Sequence, residues 1–143
     1  MARYDIGVQK ATTAAAGLLC QIRTGATRDV RVFEIGVFAV TAVSGEVGLI
    51  RPTAVGATFT SSAVGAAEDG AAGAGVAVVD TAATTAPTIG TNYMRRIQLP
   101  GSIGAGVIWT FPIGINVPTS ASIALWQLST AAVTYDVYFT YDE

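Results

Sequence analysis

The stretch AVTYDVYFTYDE, residues 132–143, alternates large apolar side chains with mainly polar ones at a period of two. A β-strand places successive side chains on opposite faces, so this period indicates a strand with one buried and one solvated face. The side chains expected to point inward are Val133, Tyr135, Val137, Phe139 and Tyr141. Tyr138 falls among the outward positions and interrupts the pattern. The stretch therefore predicts a sheet protein with one aromatic side chain on its surface.

A second stretch, VIWTFPIGINVPTSASIALWQLS at residues 107–129, carries both tryptophans and no charged side chain. Its odd-numbered positions from 109 to 117 are apolar, which predicts a core face that includes Trp109 and Ile113. The second half of the stretch is apolar on both faces, and Trp126 falls on the outward one. Its two prolines cannot donate to a sheet ladder, so we expect the stretch to form a hairpin near a sheet edge.

The remaining strand signals recur about every ten residues, between clusters of Gly, Pro and Ser. Residues 29–43 are apolar on both faces, as in a covered strand, and residues 46–52 are expected to pair back on them as a hairpin. In total we expect eight or nine strands, roughly at 17–24, 29–42, 46–51, 54–60, 75–82, 92–99, 106–117 and, as two strands, 121–142.

So many antiparallel strands in one domain predict an all-β fold, an antiparallel two-sheet β-sandwich that is jelly-roll-like. Outside the strands, the sequence predicts an N-terminal arm over residues 1–12 and a flexible Ala/Gly-rich loop over residues 61–75. A single domain, 1–143, is the expectation for this length.

Composition restricts the function classes. Charged residues make up only 13% of the chain, the formal net charge is −2, and Lys10 is the one lysine. No basic field is present to bind nucleic acid, and no apolar run is long enough to span a membrane. Histidine is absent, which removes the usual general base and His-ligated zinc. We therefore expect a protein that is not an enzyme and that uses no metal or cofactor.

The few candidates for chemistry favour structural interpretations. Cys20 lies between apolar neighbours, so we expect an inert core thiol. Glu34 interrupts an apolar strand; if it is covered, Arg95 or Arg96 is the expected partner, and otherwise all lie on exposed sheet surface. The adjacent Glu68 and Asp69 offer too few oxygens for calcium and are read as a solvated loop tip.

At VRVFEIGVFAVTA and VGLIRP, and again at TAPTIGTNYMRRIQLPGSIGAGVIWTFPIGINVP, the chain resembles the small β-sandwich virion proteins of tailed bacteriophages. The blocks cover roughly residues 10–60 and 80–142, and RRIQLP with GAGVIWTFP is the most specific part. The resemblance implies a capsid decoration or accessory structural protein, with tail and fibre-base positions as alternatives. It also implies location in the virion, after assembly in the host cytoplasm, and contact with the major capsid protein or another virion protein.

A low charge suits a surface that packs against copies of itself, so we expect a homo-oligomer, a trimer first and a pentamer second. A carbohydrate-binding or host-attachment module is the alternative, because exposed aromatic side chains can stack on a glycan. A β-sandwich with no connection to viruses also stays open. The interface candidates are Arg3, Tyr4 and Lys10 on the arm, together with Tyr93, Arg95, Arg96, Trp126 and Tyr138.

Overall fold

The fold is a two-layer β-sandwich, seen in a computed structural model that describes residues 2–68, 70 and 72–143. This confirms the all-β prediction. The described strands are β1 (Arg3–Ala11), β2 (Gly17–Arg23), β3 (Val30–Ala39), β4 (Gly45–Ile50), β5 (Ala57–Val64), β6 (Ala66–Ala67), β7 (Val78–Thr85), β8 (Tyr93–Leu99), β9 (Gly106–Val117), β10 (Ser122–Gln127) and β11 (Thr134–Asp142).

The strand order identifies the sandwich as a jelly roll. One sheet, called sheet A, has the order β6-β1-β11-β3-β9, and the other, sheet B, has the order β5-β7-β2-β10-β4-β8. The first strand pairs with the last, the second with the second-to-last, and so on inward. The pairs are β1 with β11, β2 with β10, β3 with β9 and β4 with β8. This nesting is what a long hairpin produces when it rolls into two Greek-key sheets. Strands β5 to β7 form an insertion at the tip of that hairpin.

Several local predictions were wrong. Residues 3–11 of the expected arm form β1, which lies between β6 and β11 inside sheet A. In the expected loop, residues 61–64 complete β5 and residues 66–67 form β6, while Asp69 and Ala71 lie outside the described residues, as does Met1. The two expected hairpins are absent from the described strands, because β3 and β4 lie in different sheets and so do β9 and β10. Sequence neighbours cross between the layers instead of pairing.

The core lies between the sheets and is filled by the inner faces of the eight jelly-roll strands, with Val79 of β7 and the preceding Ala77 added from the insertion. All five inward predictions for β11 and the residue before it are confirmed, with Val133, Tyr135, Val137, Phe139 and Tyr141 at most 2% exposed. Cys20 is also fully buried, and this burial raises the pKa of its thiol. A thiol that resists ionisation is a poor nucleophile, in agreement with a packing role.

The insertion covers part of the outer face of sheet B. The carbonyl of Val55, in the segment that leads to β5, accepts a hydrogen bond from Gln21 Nε2 at 3.1 Å. The fully buried Asp80 accepts hydrogen bonds from the same Gln21 side chain and from Ser62. It also forms a bidentate ion pair with Arg23. The part of this face around Gln21 and Asp80 is therefore closed by the protein itself and is not free for a partner.

Candidate interaction surfaces

A bulge on β9 carries the most exposed large apolar side chain in the described residues. The pairing of β9 with β3 places four residues, 111–114, opposite Phe33 alone, so β9 bends outward at this point. Gly114 takes part in the bend with a φ of +75°, a conformation that other residues rarely adopt. Ile113 at the tip is 83% exposed. The expectation that Ile113 faces the core was wrong because the bulge interrupts the two-residue period.

The bulge lies on an open edge of the sandwich. Within the described residues, β9 is hydrogen-bonded to β3 and to no other strand, and β8, the edge of sheet B, is bonded only to β4. The guanidinium of Arg95 on β8 lies 5.8 Å from the ring centre of Phe111 on β9, so the two edges stack at the same end of the molecule. An edge strand presents unpaired backbone groups to solvent and is a ready site for association.

Further apolar side chains line this edge. Ile108 on β9 is 51% exposed, and Ile103, in the turn before β9, is 73% exposed. Together with Ile113 they form what we call the β9 edge patch. These side chains are spaced along one open edge strand and the turn before it, where they offer apolar surface to a partner.

The outer face of sheet A carries two aromatic rings that lie over glycines. The Tyr138 ring covers Gly36 on the neighbouring strand, and the Phe38 ring covers Gly106 on the next, so that a Cβ atom at either glycine would overlap the ring. The rings are nearly parallel, with an interplanar angle of 15° and centroids 6.4 Å apart. Both side chains are half-buried. We call these two rings the ring platform.

Polar groups border the ring platform on two sides. On one side Tyr138 donates its hydroxyl hydrogen bond to Glu34 Oε1 at 2.6 Å. Burial, followed by this hydrogen bond and the charge of the carboxylate, raises the pKa of Tyr138 to about 12. On the other side Gln9 Nε2 donates to Asp136 Oδ1 at 2.8 Å, directly across the strands from Phe38. The prediction that Tyr138 points outward is confirmed.

A second cluster, on the outer face of sheet B, brings together three of the predicted residues. The Tyr93 ring lies over Gly48, and the Arg96 guanidinium lies 5.5 Å from the centre of that ring. Trp126 pairs with the same glycine in the register of β10 and β4, and it is half-buried on the outward face as expected. Arg96 also forms an ion pair with Glu46 at 2.6 Å. The charge of Arg96 is thus already paired within the cluster, which leaves few charged groups for a ligand to bind.

The three residues expected on the arm lie in three environments. Arg3 is exposed on sheet A, where it pairs with Asp142 at 2.9 Å and lies 4.7 Å from the centre of the Phe33 ring. Tyr4 is only 5% exposed and stacks on Tyr141 in the core, so the expectation of a free arm residue was wrong. Lys10 is half-buried beside the loop that joins β1 to β2. They do not form one surface.

Of the two alternatives for Glu34, pairing with Arg95 or Arg96 was wrong, whereas both arginines lie on exposed sheet surface as the other alternative predicted. Glu34 is half-buried, and its carboxylate accepts the Tyr138 hydroxyl, whereas Arg96 pairs with Glu46. Arg95 points across the edge onto Phe111. Glu34 lies in sheet A and both arginines lie in sheet B, a separation that strand periodicity could not show.

Comparisons of the chain with protein-family models, with curated proteins and with solved structures found no match. Across residues 2–68, 70 and 72–143, no group of three or more His, Cys, Asp or Glu side chains is arranged to hold a metal ion. The same residues contain no helix that is long and apolar enough to cross a membrane.

Sequence reasoning missed the residues that stand out most on the surface. Phe38 was assigned to a covered strand, and Gln9 to the arm. Ile113 was assigned to the core. A proline and a glycine on either side of Ile113 in FPIG could have signalled the bulge, since both residues mark interruptions of a strand. Phe38 and Tyr138 become neighbours through strand pairing, so the sequence around each residue does not indicate that their rings meet.

Proposed function

We propose that the protein is a non-enzymatic structural subunit of a phage particle that assembles with copies of itself and coats the capsid as a decoration protein. The observation that carries the proposal is the β9 edge patch, with Ile113 projecting from an open strand. The sequence resemblance to small virion proteins supports the location on a particle.

The edge patch suits contact with another protein surface. Burying one isoleucine side chain contributes roughly 1.5–3 kcal/mol. Three of them give a modest contact, so a single subunit would bind a partner surface only weakly. A lattice multiplies such contacts, because each linked binding event raises the avidity of the next. A decoration protein on a symmetric shell therefore needs no single strong site.

The charge distribution supports the same function. Only 13% of the residues are charged, and several of the surface charges are already paired within the chain, as with Arg3 and Asp142 or Arg96 and Glu46. Copies of such a protein repel one another weakly. Closed cyclic symmetry, with a trimer first and a pentamer second, is the expected arrangement.

Native mass spectrometry of the purified chain at micromolar concentration tests the assembly. We expect a closed oligomer for the wild type and a monomer for Ile113→Asp, because a carboxylate at the bulge tip would be buried unpaired. The matched control is Val64→Asp: Val64 is a 53% exposed apolar side chain on β5, at the opposite edge of sheet B, and this variant should stay oligomeric. A monomeric wild type, or equal dissociation of both variants, contradicts assembly through the β9 edge.

Location on the particle needs a separate measurement. We expect peptides of this chain in caesium-banded particles from a lysate of the host strain, with a copy number that matches the capsid lattice. Antibody labelling seen by electron microscopy then separates the capsid from the alternative tail and fibre-base positions. Absence of the chain from the particles contradicts the proposed function even if the oligomer forms.

A further inference from the structure

The outer face of sheet A combines flat rings, a shallow depression and hydrogen-bonding groups. Gly7 pairs with Tyr138 across the strands and is exposed, with no atom near the position that a side chain would occupy. The Tyr138 ring leans away from it, over Gly36. A depression therefore opens above Gly7, bounded by Phe38, Tyr138, Gln9 and Asp136.

We propose that this depression binds a neutral polysaccharide of pyranose units, in addition to the protein contacts of the proposed function. The C–H bonds on one face of a pyranose with equatorial hydroxyl groups are apolar, and they pack on the electron-rich face of an aromatic ring. The equatorial hydroxyls then point sideways in the plane of the sugar. On this face they would meet the polar groups that border the rings.

The chemistry of those polar groups selects for a neutral ligand rich in hydroxyl donors. Carboxylates dominate the border: Asp136 on one side, and Glu34 and Asp5 on the other. Carboxylates accept hydrogen bonds from hydroxyl groups and repel an anionic chain such as a polyuronate. The amide of Gln9, already oriented by Asp136, offers one donor and one acceptor.

The ring geometry argues against a quaternary ammonium ligand, which aromatic side chains and carboxylates can also bind. A compact cation is held by rings that surround it, as in an aromatic cage. Here the interplanar angle is 15°, so the two rings lie nearly parallel and do not enclose a space between facing rings. Parallel rings suit the flat face of a sugar better than they suit a sphere.

Affinity electrophoresis in native gels that contain hydroxyethylcellulose, barley β-glucan, xylan or galactomannan tests the proposal. We expect at least one of these neutral polysaccharides to retard the wild type, and alginate, which is anionic, to leave it unretarded. Tyr138→Ala and Phe38→Ala should each weaken binding by roughly tenfold. Tyr93→Ala and Trp126→Ala, on sheet B, are the matched aromatic controls and should bind as the wild type does.

A filling variant covers the case in which a ring variant folds poorly. A Cβ atom at Gly7 would meet no atom within 4 Å, so Gly7→Leu should direct a side chain into the depression with the fold kept and the retardation lost. Ile113→Asp should keep the retardation, which separates this proposal from assembly through the β9 edge. Migration unaffected by all four neutral polysaccharides, or retardation that Gly7→Leu and Tyr138→Ala leave unchanged, overturns the inference.

Discussion

A methyl group added at Gly36 is expected to destabilise the protein, whereas one added at Gly7 is expected to stabilise it. The two glycines flank Tyr138 in the same row of sheet A, Gly7 on β1 and Gly36 on β3. A Cβ atom at Gly36 would lie 2.6 Å from Cδ1 and Cζ of the Tyr138 ring, well inside van der Waals contact. A Cβ atom at Gly7 would meet no atom within 4 Å.

The size of the destabilisation in Gly36→Ala follows from the interactions that the Tyr138 ring must lose. Swinging away from Gly36 breaks the hydrogen bond from its hydroxyl to Glu34, which contributes about 1 kcal/mol, and returns ring surface to water at a further cost of about 1 kcal/mol. Replacing glycine by alanine restores about 0.4–1 kcal/mol, because the unfolded chain becomes less flexible. Gly36→Ala should therefore lose about 1–1.5 kcal/mol of unfolding free energy, while Gly7→Ala should gain about 0.5 kcal/mol.

Urea denaturation followed by circular dichroism measures both values, provided that the slope m is shared by all variants. A double-mutant cycle isolates the ring: in a Tyr138→Ala background, Gly36→Ala should become neutral or stabilising. If Gly36→Ala is as stable as Gly7→Ala, or if its cost is the same with and without the ring, the described packing of Tyr138 over Gly36 is refuted.

Of three further predictions, two concern buried polar groups and one concerns a titration. Gln127 Nε2 lies between 2.9 and 3.1 Å from four loop carbonyl oxygens. Gln127→Leu should therefore lower the unfolding free energy, measured in urea, by about 2–3 kcal/mol. As a control, Gln9→Leu at an exposed position should change it by less than about 0.5 kcal/mol. Asp80→Asn should cost about 2–4 kcal/mol in the same assay, because it leaves a partly buried guanidinium without its counter-charge; an unchanged midpoint would contradict the ion pair. The pKa of Tyr138, about 12, should fall in Glu34→Gln when followed by ¹³C NMR of Cζ, but it should stay above the ordinary value of 10 because burial, the largest cause of the shift, remains. Since the fold raises this pKa, the protonated phenol stabilises the folded state below pH 10, and that contribution is lost as the pH rises through 12.

Some features of the fold could be predicted because they depend on local patterns. The period of two in residues 132–143 is a property of one strand, and it identified the buried face of β11 correctly. Nine of the described strands were located to within a few residues by their β-branched and aromatic runs. β1 and β6 were missed: the two-residue period of Tyr4, Ile6 and Val8 in β1 was interpreted as part of a terminal arm, and β6 has only two residues.

The candidate surfaces could not be predicted, because they arise where distant strands meet. Tyr138 was expected to be exposed, but its neighbours Gly7 and Gly36 come from the other arm of the nested hairpin, far from it in sequence. Likewise Tyr93 and Trp126 meet only because β8 and β10 flank β4. Local periodicity carries no information about which strand lies alongside, so the partners of these side chains were unknown from the residues alone.

The alternation of apolar and polar residues by itself determined that this chain forms strands and which faces of most of them are buried, and composition showed that charge and imidazole are scarce. Only the tertiary structure decided that β1 is an inner strand, that Glu34 meets a tyrosine instead of an arginine, and that Ile113 projects from an edge. The physical reason is that burial pattern is a short-range property of the chain. Strand pairing and bulges are selected by the packing of the whole sandwich, over contacts that lie far apart in sequence.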